Sequence, residues 1–147
     1  MNAPVERSVG TVGAERVEQF EGTVLSGVGE GAYFLGVGWV QDQIRRIAGF
    51  DPYPGTLNVR LLDTDRLVRW REIRKSAGVA LTPPAPETCG GRLLPALVEG
   101  RIQAAVVIPD VTRYEDAILE VIAPVRLRAV LGLRDGDRVR LSIERMR

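Results

Sequence analysis

Short segments of alternating apolar and polar residues recur along this chain. The clearest runs from Thr56 to Leu62, where Leu57, Val59 and Leu61 alternate with Thr56, Asn58 and Arg60. Side chains along a strand point to opposite faces with a period of two. The pattern predicts a strand whose leucines and valine enter a core while Thr56 and Asn58 share the other face. Val17 to Ser26 reads as a strand, and Ala32 to Val37 as an apolar hairpin partner. Arg92 to Val98 and Ile102 to Pro109 read as two strands joined by a turn at Glu99-Gly100-Arg101. Ala117 to Ala123 is rich in β-branched residues and reads as a buried strand. Val139, Leu141 and Ile143 line one face of a last strand after the turn Asp135-Gly136-Asp137.

Helical spacing is confined to a few places. Trp39 to Ala48 has apolar residues at 40, 44, 47 and 48, with Gly49 placed to cap its C-terminus. Asp63 to Lys75 is mixed and polar, which predicts only a short helical turn. Pro124 suits the first position of a helix running to Leu131, stopped by Gly132 and Leu133. Thr82 to Gly91, with three prolines and two glycines besides Cys89, is a loop. Residues 1–16 read as a flexible tail, and 17–147 as one domain. About seven short strands with few helices predict a mainly β fold, a small closed β-barrel.

Composition narrows the chemistry. The chain has 147 residues, long enough for one real core. Its net charge of +1 gives no electrostatic case for nucleic acid or a membrane surface. No apolar run approaches the ~20 residues of a membrane span, and no signal peptide opens the chain, so a cytoplasmic location is expected. There is no histidine, so imidazole serves neither as base nor as metal ligand. Cys89 is the single cysteine, which excludes a cysteine zinc cluster. Lys75 is the only lysine and lies in a polar stretch, so a Walker-type lysine is not expected.

Three constellations can carry chemistry. Gly27, Gly29 and Gly31, with Val28, Glu30 and Ala32 between and after them, let a backbone approach an anion closely. They also suit a plain hairpin turn. Pro54-Gly55 satisfies a type II turn without any ligand. That turn does not explain Thr56 and Asn58 on one face, where two neutral oxygen-bearing groups suit a hard cation or a phosphate. The third constellation holds Thr112, then Glu120 in an apolar run, then Val125, Arg126, Leu127 and Arg128. A carboxylate in such a run is costly to bury unless paired or used, although it can also face water from an edge. Arginine binds phosphate well through its planar fork, and is equally at home solvated on a helix.

Together these pieces resemble the archaeal-type CTP-dependent riboflavin kinases. The resemblance covers about residues 18 to 145. It rests on G-V-G-E-G-A-Y, on G-F-x-P-Y-P-G-T-L-N, and on E-x-I-A-P-V-R-L-R followed by L-G-L-x-D-G-D. It implies a Greek-key barrel of the cradle-loop kind, so that 17–147 is a kinase domain. The implied reaction moves the terminal phosphoryl of CTP to the riboflavin 5′-hydroxyl, giving FMN and CDP. By carry-over, Gly27 to Ala32 and Val125 to Arg128 bind the nucleotide, Thr56 and Asn58 ligate Mg2+, and Thr112 and Glu120 contact the flavin; Glu120 is further expected, as the catalytic carboxylate, to orient or deprotonate the riboflavin hydroxyl. Many archaeal members carry an N-terminal winged-helix domain, for which this chain is too short. No sequence feature sets an oligomeric state.

Two other classes stay open on the residues. One is a barrel that binds a flavin or nucleotide without catalysis. The other is a swapped-hairpin DNA-binding regulator, suggested by the L-G-L-R-D-G-D-R-V-R-L end. Such regulators are more basic and have no use for Pro54-Gly55-Thr56-Leu57-Asn58.

Overall fold

The computed structural model describes residues 17–27, 35–86, 90–110 and 115–144. Seven strands and three helices follow in the order β1 (Val17–Leu25), α1 (Gly38–Ala48), β2 (Leu57–Leu61), α2 (Thr64–Ser76), β3 (Val79–Leu81), β4 (Gly91–Val98), β5 (Ile102–Pro109), β6 (Ile118–Ile122), α3 (Leu127–Leu131) and β7 (Arg138–Glu144). The sheet runs β3-β4-β5-β6-β2-β1-β7, and β4 pairs again with β7. Every pairing is antiparallel. The result is a closed ring of six strands. β4 shares one edge between two partners: residues 91–93 pair with β3 and residues 96–98 with β7.

Alternation decides what fills the ring. Opposed residues on paired strands share a face, so the registers Val98↔Leu141, Val24↔Val59, Val59↔Leu119 and Leu94↔Val106 define one continuous inner face. Phe20, Leu57, Leu61, Val121, Val139 and Ile143 join it, and all are buried. A second, smaller core lies on the outer face. There Ile44 and Val40 of α1 pack with Leu93, Ala105, Val107 and Ile122. β5 is thus covered on both sides, which explains its unbroken Ala104–Ile108 run.

α2 is a full helix of 13 residues where only a turn was expected. Its signals were obscured by charge. Asp63 caps it, its side chain accepting from the backbone N–H groups of Asp65 at 2.8 Å and Arg66 at 3.2 Å. Trp70 and Ile73, three apart, enter the barrel interior. Trp70 meets Phe20 edge-on at 6.2 Å, and Arg66 lies over the other partner of that pair, 5.2 Å from the Phe20 ring. Glu18 on β1 takes Arg69 through both carboxylate oxygens and fixes the helix to the wall.

Two further expectations are corrected. Leu35 to Val37 form no strand, and β1 pairs with β2 and β7 instead of with a hairpin partner. Leu35 is buried in the outer core, which accounts for the apolar character of that segment. Residues 32–34 lie outside the described residues. The helix expected from Pro124 begins only at Leu127. The carbonyl of Ala123, which would open a helix at Pro124, accepts the N–H of Tyr53 at 2.7 Å. Gly49 and Gly132 do cap α1 and α3, at φ 84° and 63°.

If the ring closure carries the stability, Leu141→Ala on β7 should lower the unfolding free energy by about 3 kcal/mol in urea denaturation, as cavity-forming changes do. Arg140→Ala, on the outer face of the same strand, should cost under about 1 kcal/mol. Equal losses would mean that the inner face is not the main core.

Candidate functional site

Asn58 is the residue around which the site is built. It lies on β2 between Leu57 and Val59, both of which point inward. Its side chain is therefore on the outer face, as its spacing from the leucines requires. It is not solvated there: Asn58 is 5% exposed and is the one buried polar or charged residue among the described residues. Among these residues its Oδ1 accepts no hydrogen bond. An orphaned buried carbonyl oxygen costs about 1–3 kcal/mol. A core position gains nothing from that. A carboxamide held to meet a ligand or a hard cation does.

The neighbours of Asn58 follow from register. Leu25 of β1 and Glu120 of β6 flank it across the sheet, and Val107 of β5 flanks Glu120. The outer face thus carries a row Leu25–Asn58–Glu120–Val107, whose last member belongs to the outer core under α1. Glu120 is half-buried in this row. Neither of the edge positions that would leave it facing water applies, since β6 is paired on both sides.

Gly27 closes the row from the end of β1. A Cβ at this position would lie 2.0 Å from Nδ2 of Asn58. Real Cβ atoms essentially never approach so closely, so any other residue here would have to displace the buried carboxamide. The glycine-rich segment therefore starts in contact with Asn58. Val28, Gly29, Glu30, Gly31 and Ala32 lie outside the described residues, as does Thr112.

On the other side of Asn58 the strand opens into a cavity of about 260 Å3 lined by Tyr53, Pro54, Gly55, Thr56, Leu57 and residues 125–128. Two segments seventy residues apart meet there. The N–H of Tyr53 on the Ala123 carbonyl docks one onto the other. Thr56 is half-buried at this wall, two residues before Asn58. Val125 and Arg126 are exposed, Arg128 is half-buried, and the Leu127 side chain turns away into the barrel core. Leu127 can offer a ligand only its backbone.

Asp135 was read from sequence only as part of a turn, and here it ties parts together. One carboxylate oxygen takes Arg128 Nη2 at 2.5 Å and the other accepts from Ser26 Oγ at 2.8 Å. These two bonds, Arg128 first, hold its carboxyl below the ordinary carboxylate range. Tyr53 was likewise passed over. Its place before Pro54-Gly55 was the available signal, and it forms part of the cavity wall.

Among the described residues no group of three or more His, Cys, Asp or Glu could hold a metal. A cation here would rest on neutral oxygens and on its ligand. Asn58 fits that requirement through its orphaned Oδ1, and Thr56, just before β2, offers a hydroxyl oxygen at the cavity wall.

The chain is a closed antiparallel barrel with a filled interior and a cavity where the segment before β2 meets the segment after β6. Residues 24–143 match the family model labelled CTP-dep_RFKase, described as a domain of unknown function, DUF120, and the chain belongs to that family. It is 40% identical over 126 residues to a riboflavin kinase of Methanosarcina acetivorans, covering 84% of this chain and 52% of that protein. It is 41% identical over 128 residues to a riboflavin kinase of Archaeoglobus fulgidus, covering 85% and 54%. A riboflavin kinase of Aeropyrum pernix is 38% identical over 130 residues, 84% of this chain and 94% of that protein. The chain thus spans about half the length of several curated relatives and nearly all of another.

The orphaned carboxamide can be tested without any ligand. Asn58→Leu should leave the unfolding free energy unchanged or raise it by up to about 1 kcal/mol, since an unpaired polar group is exchanged for an apolar one. A loss above about 1 kcal/mol in urea denaturation would make Asn58 a structural residue.

Proposed function

We propose that this chain is a riboflavin kinase that uses CTP as phosphoryl donor, with residues 17–147 as its single catalytic domain. The observation that carries the proposal is the buried, unpartnered Asn58 Oδ1, placed between Gly27, Glu120 and the cavity at Thr56. The family and its riboflavin kinase relatives support it. Kinases of this kind generally need a divalent metal, and we take it to be Mg2+.

The parts divide the work as follows. The backbone of Gly27 to Ala32 lies against the CTP phosphates, where glycines allow close approach. Val125 to Arg128 form the second nucleotide wall, with the arginines neutralising phosphate charge. Thr56 and Asn58 would hold Mg2+, which would supply positive charge against that of the phosphates. Thr112 and Glu120 hold the flavin. The riboflavin 5′-oxygen forms its bond to the terminal phosphorus as the bond from that phosphorus to the CDP oxygen breaks. CDP leaves with the electron pair, and the hydroxyl proton passes to the Glu120 carboxylate. No histidine or lysine is required, because phosphoryl transfer depends mainly on positioning and charge neutralisation.

Incubation with riboflavin, Mg2+ and each of CTP, ATP, GTP and UTP, followed by chromatography, should give FMN with CTP alone. Product from another nucleotide would correct the donor. Binding of riboflavin or CTP without FMN would leave a non-catalytic barrel.

Glu120→Gln should lower kcat by about 10²-fold or more, the usual share of a general base, with CTP binding changed little. Turnover within about threefold of the wild type would remove Glu120 from the proton transfer.

A further inference from the structure

Asp135 joins two segments that the proposed function places on the nucleotide. Ser26 immediately precedes Gly27, whose backbone is pressed against Asn58. Arg128 lines the cavity beside Thr56. These residues are 109 and 7 positions from Asp135, and its two carboxylate oxygens reach one each.

The carboxylate is itself anchored. The N–H of Gly136 donates to the Val24 carbonyl at 2.7 Å, and the N–H of Val24 donates to the Asp137 carbonyl at 2.9 Å. The turn is therefore stitched to the end of β1, two residues before Ser26. Asp137 accepts from the Arg134 N–H at 2.8 Å and holds the turn's own shape. On the opposite side, the Arg128 carbonyl receives the N–H groups of Gly132 and Leu133. Both partners and the carboxylate thus sit on fixed backbone. The ion pair uses one nitrogen of a guanidinium that has five N–H donors, so Arg128 keeps donors to turn toward the cavity.

An exposed ion pair of this kind contributes little to stability. Its geometry suggests another use. Resting on the nucleotide assignment above, we infer that Asp135 is a positioning residue for the nucleotide. It fixes the distance between the root of the glycine-rich segment and Arg128, so that both meet one polyphosphate. It touches neither the flavin nor the transferred phosphoryl. Its loss should therefore be felt in the affinity for CTP and not in the affinity for riboflavin.

The test is initial-rate kinetics on the full chain, varying CTP and riboflavin separately. Asp135→Ala should raise KM for CTP about tenfold, the weight of one charge-assisted hydrogen bond. The KM for riboflavin should stay within about twofold and kcat within about threefold. Ser26→Ala removes one arm and should raise KM for CTP by a smaller factor. Adding it to Asp135→Ala should change nothing more, because the two act through one contact. Asp135→Glu, which keeps the charge, should restore part of the affinity. If Asp135→Ala does not fold, Ser26→Ala and Asp135→Glu carry the same comparison. An unchanged KM for CTP in an active protein, or a parallel rise for both substrates, overturns the inference alone. A wild type that makes no FMN from any nucleotide overturns the proposed function and this inference with it.

Discussion

The pairing of β4 with β7 is the constraint on which the rest depends. Without it the sheet is open, with two edges. Once Val98 opposes Leu141 and Ala96 opposes Ile143, parity is set around the whole ring. Leu57, Val59 and Leu61 must then face inward, and Asn58 must face outward. A slip of one residue in the pairing of β2 with its neighbours would turn Asn58 into the barrel and Leu57 and Val59 outward. Aggregation through strand edges is reduced by the same closure.

A filled interior pushes chemistry onto the wall. The barrel offers no lumen for a ligand, since both ends of each strand row are packed with apolar residues and α2 contributes Trp70. What remains is the outer face. Part of it is taken by α1 and the second core. The strip between that core and α3 holds Asn58, Glu120, Thr56 and the two arginines. Gly27, just past the end of β1, lies close against Asn58 in that strip. The site is therefore a consequence of where helices do not pack, and its polar groups can be few because the walls are backbone.

The fold was legible in the sequence wherever period two was clean. β2, β4, β5 and β7 lie within a residue of their expected limits, since alternation and tight turns agree there. α2 was obscured because charged residues surround the inward-pointing positions 70 and 73, and the cap at Asp63 was the overlooked signal. The helix after Pro124 was misplaced because a tertiary bond, Tyr53 to Ala123, takes the carbonyl that local rules would give to the helix. The site shows the same division. Thr56 and Asn58 could be singled out because asparagine in a strand has no local reason. That Asn58 touches Gly27 could not, because the contact depends on the register of β1 with β2. Asp135 was readable only as a turn residue, since its two partners lie in other segments.

Neutral ligands and paired charges give this wall a particular electrostatic character. Arg128 is offset by Asp135 and Arg45 by Asp51, and the chain's net charge is only +1. Attraction over long range is therefore weak, so under the proposed function a polyphosphate is captured by short-range contacts. Oxygen ligands without charge bind a free divalent cation poorly, because they cannot replace its hydration shell at a profit. They hold it well once phosphate oxygens supply the negative charge. Under the proposed function metal and nucleotide arrive together, and the barrel contributes geometry in place of charge. That makes the spacing of its backbone segments, which the closure and the turn at Asp135 set, the property on which selectivity rests.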